Sequence, residues 1–249
     1  MTTNSHISPL QPLEVVRTQA STVEFHQLEL TGPAAIWLPQ PSPEPVLVLG
    51  SSQDPGHYTT SSTVTRRRSG GGAVLVAEEH LSWFDVWLPS SDPRHVNDVS
   101  RSFDWLGQSL CESLADFGYD ARSHQGTMVH GPWSPIICFA GLGPGEITIN
   151  GRKVVGISQR RNRAGARFQV ALLRQWKPAD YLDRLNASHE ALPTYDREIA
   201  LTQLGNVALG IEQHHDDLVA HMLTRLQGAS QQAHSADVAV QGKDRPERP

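Results

Sequence analysis

Two cysteines in 249 residues, Cys111 and Cys138, are too few to form a disulfide framework for a domain of this size, and the expectation is a reducing, cytoplasmic setting. Long apolar runs are missing as well. None approaches the roughly 20 residues that cross a bilayer, so no membrane partner is expected. The first thirty residues lack a basic start followed by an apolar stretch, which argues against a secretory signal. A net charge of −5 excludes a surface that attracts nucleic acid as a whole, and no aromatic residues interleave the arginine clusters. The twelve histidines are scattered, with no His-x-His or His-Glu-x-x-His spacing; His214 and His215 are adjacent and diverge on a helix, so no metal site is expected. No Gly-x-Ser-x-Gly elbow is present, which removes the cue for a serine-triad hydrolase.

What remains fits a soluble globular protein with a real core: 38% hydrophobic and 19% charged residues, in one moderate domain. Residues 1–22 are polar and aperiodic and read as a flexible lead-in. Residues 229–249 have little to bury and read as a disordered tail, which leaves 23–228 as the folded domain. Strands are predicted at Ala35–Leu38, Pro45–Leu49, Thr63–Arg67, Ala73–Ala77 and Ser82–Leu88. Val99, Phe103, Leu106, Leu110, Leu114 and Phe117 recur at helical spacing, with Gly118 able to cap the end. Ile136–Phe139, Glu146–Asn150, Lys153–Ser158 and Arg167–Leu173 are predicted strands, with Asn150-Gly151 as a hairpin turn. The last third is helical, with Pro178 at a first helical position and a final helix marked by Ile211, Leu218, Met222 and Leu226. Grouped strands with helices between and after them predict an α+β domain.

Three segments could carry chemistry. Arg66-Arg67-Arg68-Ser69-Gly70-Gly71-Gly72-Ala73 lies between two predicted strands. Glycines let backbone N–H groups approach a ligand, and the arginines add charged donors; the same glycines could equally be a bulge or hairpin device. The segment is neither a Walker loop nor a dinucleotide fingerprint. In Asn150-Gly151-Arg152-Lys153, a lysine just past a tight turn can aim its ammonium at a carboxylate, phosphate or carbonyl oxygen, although a hairpin lysine is more often solvated surface. Arg160, Arg161 and Arg163 come after it; with Arg66–Arg68, Arg152, Lys153 and Arg167 they make nine of the 21 Lys and Arg residues, suggesting an anion site. Cys138, beside a Gly-rich loop and near positive charge, could be a nucleophile or an inert buried thiol. Cys111, between Leu110 and Leu114, reads as structural.

Taken together these segments resemble the lipoate–protein ligase/octanoyltransferase family. Arg67-Arg68-Ser69-Gly70-Gly71-Gly72-Ala73-Val74 is similar to its lipoate-binding loop. Gly151-Arg152-Lys153-Val154-Val155-Gly156-Ile157-Ser158-Gln159 is similar to its Gly-Lys segment, and Val46–Gln53 to the strand and turn before the loop. The resemblance implies a mixed β-sheet flanked by helices, of the class II synthetase-like type shared with biotin–protein ligases, with a tunnel for an eight-carbon acyl chain. It implies a site of Lys153 on the acyl carbonyl or phosphate, with Arg67, Arg68, Ser69, Gly70, Gly71, Gly72, Ala73, Gly156, Ser158 and Gln159 around the substrate and Arg160, Arg161 and Arg163 as anion contacts.

Two chemistries go with this family. A ligase uses lipoate with ATP and Mg and acylates a lysine of a lipoyl-domain acceptor, such as a dehydrogenase E2 subunit or a glycine-cleavage H protein. An octanoyltransferase takes octanoate from acyl carrier protein onto a cysteine, for which Cys138-Phe139 stands in the matching place, and needs no cofactor. The glycine loop is nearer the ligase form, and without the accessory domain of many ligases after residue 228, a second protein is expected to assist. The chain departs from the family at Val76-Ala77, where His-Asp is usual, and at Gln169-Val170-Ala171-Leu172, where Gln-His-Gly-Ser is frequent; an Ala-x-Glu-Glu-like helix is not evident in Val23–Thr31. These departures leave open a different substrate, or a domain that binds an acyl ligand or lipoylated partner without turnover.

Overall fold

The computed structural model describes residues 11–186 and 195–240, with side chains described through residue 228. Among the described residues, ten strands form two sheets. β1 (Glu14–Arg17), β2 (Ala35–Leu38), β6 (Leu81–Pro89), β7 (Ala121–Ser123), β8 (Ile147–Ile149), β9 (Arg152–Arg161) and β10 (Gly165–Leu173) make a seven-stranded sheet in the order β1-β2-β6-β10-β9-β8-β7. A three-stranded sheet has the order β4-β3-β5, from β3 (Val46–Leu49), β4 (Thr63–Arg66) and β5 (Val74–Val76). The β1–β2 and β3–β4 pairs are parallel and the others antiparallel, so the sheets are mixed, as the α+β reading expects. The helices are α1 (Thr22–Gln27), α2 (Asp104–Asp116), α3 (Pro178–Leu182), α4 (Arg197–Gly205) and α5 (His215–Val240).

Period-two alternation in β6 and β10 sorts their residues onto two faces. Phe84, Val86, Leu88, Phe168, Val170 and Leu172 point one way, into a core with Leu106, Leu110 and Leu114 of α2 and Leu218, Met222 and Leu226 of α5. Each fully buried side chain of this size stabilises by about 1.5–3 kcal/mol. Leu81, Trp83, Ala171 and Leu173 point the other way, onto Val46, Val48, Val74 and Val76 of the small sheet. The far side of the small sheet, with Leu47, Leu49 and Leu75, packs on Tyr181, Leu182 and Leu204 of α3 and α4. The second of these layers, between the two sheets, is where polar and small residues break the apolar pattern.

Four expectations are corrected. The lead-in is ordered from residue 11: β1 pairs with β2, Leu13 is 1% exposed, and Ser21 with Glu24 closes a capping box on α1, so hydrophobic burial of Leu13 carries the domain past its expected start; residues 1–10 lie outside the described residues. At the other end α5 stays helical to Val240, beyond the residue-228 boundary, and residues 241–249 lie outside the described residues. Ile136–Phe139 is not a strand. Pro135 and Gly141 flank it, Ile137 N donates to the Trp133 carbonyl at 2.7 Å, and Cys138–Ala140 is a 3-10 turn. The helix expected from Val99 starts at Asp104; Val99 is 56% exposed, since the Asp98 carboxylate caps the preceding turn through Ser100 instead. The Asn150-Gly151 turn stands as expected, with φ of 51° and 75°, the left-handed pair that a tight hairpin needs.

Candidate active site

The glycine loop connects β4 to β5, and where it enters β5 it lies against the Cys138 turn. Ala73 N donates to the Ile136 carbonyl at 2.7 Å and Cys138 N to the Ala73 carbonyl at 3.0 Å. The contact is close enough to require glycine: a Cβ on Gly72 would lie 2.6 Å from Cys138 N, and one on Gly50 would lie 1.9 Å from the Gly71 carbonyl oxygen. Gly71 takes φ +97°, whereas a Cβ on Gly70 would meet nothing within 4 Å. Gln53 ties the turn after β3 to the segment before Cys138, its Nε2 donating to the carbonyls of Pro135 and Ile136 at 3.0 and 2.9 Å while its Oε1 accepts from Gly50 N.

Arg67 borders the slot while most of its guanidinium is enclosed. It is 1% exposed and turned under the loop, donating to Ser69 Oγ and to the carbonyls of Val48, Gly70 and Gly72. Burial pulls its guanidinium down from the usual range, and the neighbouring Cys138 and Glu146 oppose that. Arg68 is on the outside, paired with Glu29. Ser69 is buried too and lies 2.9 Å from Ser158 Oγ while donating to Gln169 Oε1 at 2.6 Å.

Those bonds continue across the sheet. Gln169 stands opposite both Asp85 and Ser158 in the ladder, and its Nε2 reaches His26 Nδ1 at 3.3 Å. Burial first, then the charges of Arg167 and Arg67, hold the His26 imidazole down to about 3, so it is neutral. Arg167 pairs with Asp85 and donates to the carbonyls of Phe25 and Leu28 at the end of α1. A run of satisfied polar groups therefore braces the loop from the core side and fixes α1 against it.

Lys153 is 2% exposed. Its ammonium donates to the carbonyls of Cys138 and Gly141, both at 3.0 Å, and lies 2.7 Å from Glu146 Oε2. Those three partners match its three protons. Glu146 is itself anchored by Gly143 N and Ile157 N. The lysine thus stands under the Cys138–Gly141 turn, 5.0 Å from the centre of the Phe139 ring. A slot opens beside this turn, bordered by Arg67, Trp83, Cys138, Gly156, Ser158 and Ala171 among others. Cys138 is partly exposed, and its Sγ lies 4.0 Å from where a Cβ on Gly71 would be.

The structure thus brings together Arg67, Ser69, the 70–72 glycines, Ala73, Cys138, Lys153, Gly156 and Ser158. Gln159 is outside this group: it points to the opposite side of β9, where its Oε1 accepts from Ser102 Oγ at 3.2 Å. Arg160 continues the Gly156–Ser158 face, roughly 13 Å beyond Gly156 at the usual strand rise, and is exposed. Arg161 is spent on the 95–97 loop, donating to the carbonyls of Val96 and Asn97, and Arg163 is exposed at the β9–β10 turn. Sequence reasoning missed Glu146, Asp85, Gln169, His26 and Gln53. Of these Asp85 and Gln169 carried a signal as polar residues within apolar strands, and Gln53 closed the Val46–Gln53 segment that resembles the family. It also missed a cluster of Glu79, His80 and Asp180 outside the slot, where His80 Nε2 lies 2.8 Å from Asp180 and Lys177 bonds Glu79.

The site thus lies in a two-sheet α+β domain, with the end of the glycine loop packed on the Cys138 turn and Lys153 beneath that turn. The family model of the lipoyl protein ligase A/B catalytic domain matches residues 32–223, and the chain belongs to that family. No curated protein sequence matches it. Among solved structures it is similar to an archaeal bipartite lipoate protein ligase from Thermoplasma acidophilum, studied with its E2 lipoyl domain, at 15% identity and a TM-score of 0.61 over 90% of this chain and 84% of that one. A putative lipoate protein ligase from T. acidophilum with bound lipoic acid matches with a TM-score of 0.61 and 16% identity, over 89% and 85% of the two chains. Lipoate-protein ligase A bound with ATP gives 0.60 and 16%, over 89% and 85%. These likenesses show a shared fold. No helix among the described residues is long and apolar enough to cross a membrane.

Proposed function

We propose that this chain joins a lipoyl or octanoyl group in amide linkage to a lysine of a lipoyl-domain acceptor. The observation that carries the reading is the buried Lys153 ammonium, held by the Cys138 and Gly141 carbonyls beneath the turn that borders the slot and on which the end of the glycine loop packs. Fixed positive charge and backbone donors at the carboxyl end of an acyl group stabilise the oxyanion that forms when an amine attacks. With all three protons engaged, Lys153 reaches substrate by exchanging one carbonyl partner for it.

In the ligase form, ATP when bound supplies the activation that turns the carboxylate into an acylating group. A phosphate would be received on the open outer side of Gly70, where Arg68 could reach it by leaving Glu29. The carboxylates nearest the slot are committed, Glu146 to Lys153 and Asp85 to Arg167, so magnesium would arrive with the nucleotide rather than on a protein ligand set.

A second reading is favoured by Cys138, which borders the slot and is partly exposed. Its thiolate would attack the donor thioester and release the carrier's thiol; the acceptor amine would then displace Cys138 and restore the thiol. Intact mass of a lipoyl-domain acceptor separates the forms. Acylation from octanoyl-acyl carrier protein that disappears in Cys138→Ser identifies the transferase, and acylation from lipoate, ATP and magnesium that survives it identifies the ligase. An acceptor unmodified by both donors would overturn the enzymatic reading in favour of a binding protein.

A further inference from the structure

The slot beside Cys138 is almost shut. Its walls leave a cavity of about 10 Å3, room for a single water. A second cavity, of about 170 Å3, lies further along β5, walled by Leu38, Val76 and Leu81 together with the charged Arg17, Arg174 and Asp216. That is comparable to the roughly 150 Å3 void that takes up a benzene ring. Trp83 is the residue that borders both cavities. The strand beneath passes from one to the other, since Val74 borders the slot and Val76, one step along the same face, borders the outer cavity.

Trp83 is the bulk in a row that otherwise lacks it. Across the ladder it stands opposite Ala171, and Ala171 opposite Gly156, so the sheet forms a trough that ends at the indole. The ring is held by a hydrogen bond from its N–H to Asp85 Oδ1 at 2.7 Å and by the His26 ring, edge-on at 4.9 Å between centroids.

We infer that Trp83 is the specificity-determining residue of the acyl site: seated as it is, it keeps the slot shut off from the outer cavity, and when the indole swings aside the two join to hold a medium-length chain. This rests on the acyl-attachment reading, yet it can be tested without turnover. Alkyl methanethiosulfonates of increasing length attach to a thiol; the thiolate attacks the sulfenyl sulfur, an S–S bond forms and methanesulfinate leaves. The probes are the methyl and octyl reagents, with labelling of Cys138 followed by intact mass in a Cys111→Ala background.

The expected result is that the octyl reagent labels Cys138 more slowly than the methyl reagent, and that Trp83→Ala narrows this gap by about tenfold or more, the scale on which apolar pockets discriminate chain length. Trp83→Leu, a smaller loss of volume, gives a second reading if the alanine variant unfolds, with folding checked by circular dichroism. Equal octyl and methyl rates in the starting protein would overturn the gate. So would a gap unchanged by both Trp83 substitutions, or a Cys138 that the methyl reagent cannot reach. If the gate holds while no acceptor is ever acylated, the pocket assignment stands and the enzymatic reading falls.

Discussion

The Lys153 ammonium and the Glu146 carboxylate lie 2.7 Å apart, 2% and 4% exposed respectively. A buried ion pair of this kind contributes little beyond what an apolar pair would, but stranding one member is costly. Glu146→Gln should therefore lower unfolding free energy by about 3–5 kcal/mol in urea titration. The double variant Lys153→Met, Glu146→Gln should recover a large part of that stability while remaining inactive. A double variant no more stable than the single one would show that the pair holds the fold rather than serving the chemistry.

Two neighbouring glycines should respond oppositely. Gly72→Ala places a methyl 2.6 Å from the backbone at Ile137 and Cys138, so it must push the loop off the Cys138 turn. It should cost about 2 kcal/mol or more, on the scale of overpacking a close contact, and lose acyl-transfer activity. Gly70→Ala meets nothing within 4 Å and should leave stability nearly unchanged. Thermal unfolding and an acylation assay of both variants check this.

Much of the fold was legible in the residues. The strand-like runs at Ser82–Leu88 and Arg167–Leu173 marked the central strands, observed at Leu81–Pro89 and Gly165–Leu173, and Asn150-Gly151 fixed the β8–β9 turn, because both signals are local. Leu13 and the strand that follows it were not legible, since a four-residue strand gains its stability from pairing with β2 and from the core beyond it. At the site, Gly70–Gly72 and Lys153 could be named from their motifs, but that Arg67 turns inward while Arg68 stays outside could not. That choice is tertiary: nothing in Arg67-Arg68 says which guanidinium turns inward until Val48 and Gly72 present their carbonyls. Glu146 was likewise invisible, as one acidic residue in a loop whose partner is chosen only when β9 passes beside it.

Acidity should weaken the fold through His26. Its folded value, about 3, lies below the ordinary histidine value of 6.5, so between those limits the unfolded chain binds the proton more readily. Stability is then full above pH 6.5 and falls as pH drops toward 3. Between about pH 7 and 5 this one group should cost about 2 kcal/mol, and the cost should vanish in His26→Gln. Urea titrations of both proteins at the two pH values give the difference directly. An identical acid loss in the variant would mean that His26 is not the group responsible.

If the Lys153 ammonium serves acyl attachment, its removal should silence a protein that still folds. The direct measurement is peptide mass spectrometry of a lipoyl-domain acceptor incubated with wild-type protein or with Lys153→Ala, using each donor, after confirming that both proteins are folded. The expected result is a lipoyl or octanoyl group on the acceptor's lysine with wild type, and a loss of about 100-fold or more with the variant, the scale of removing one oxyanion-stabilising donor. Acylation by folded Lys153→Ala at the wild-type rate would contradict the role given to this lysine.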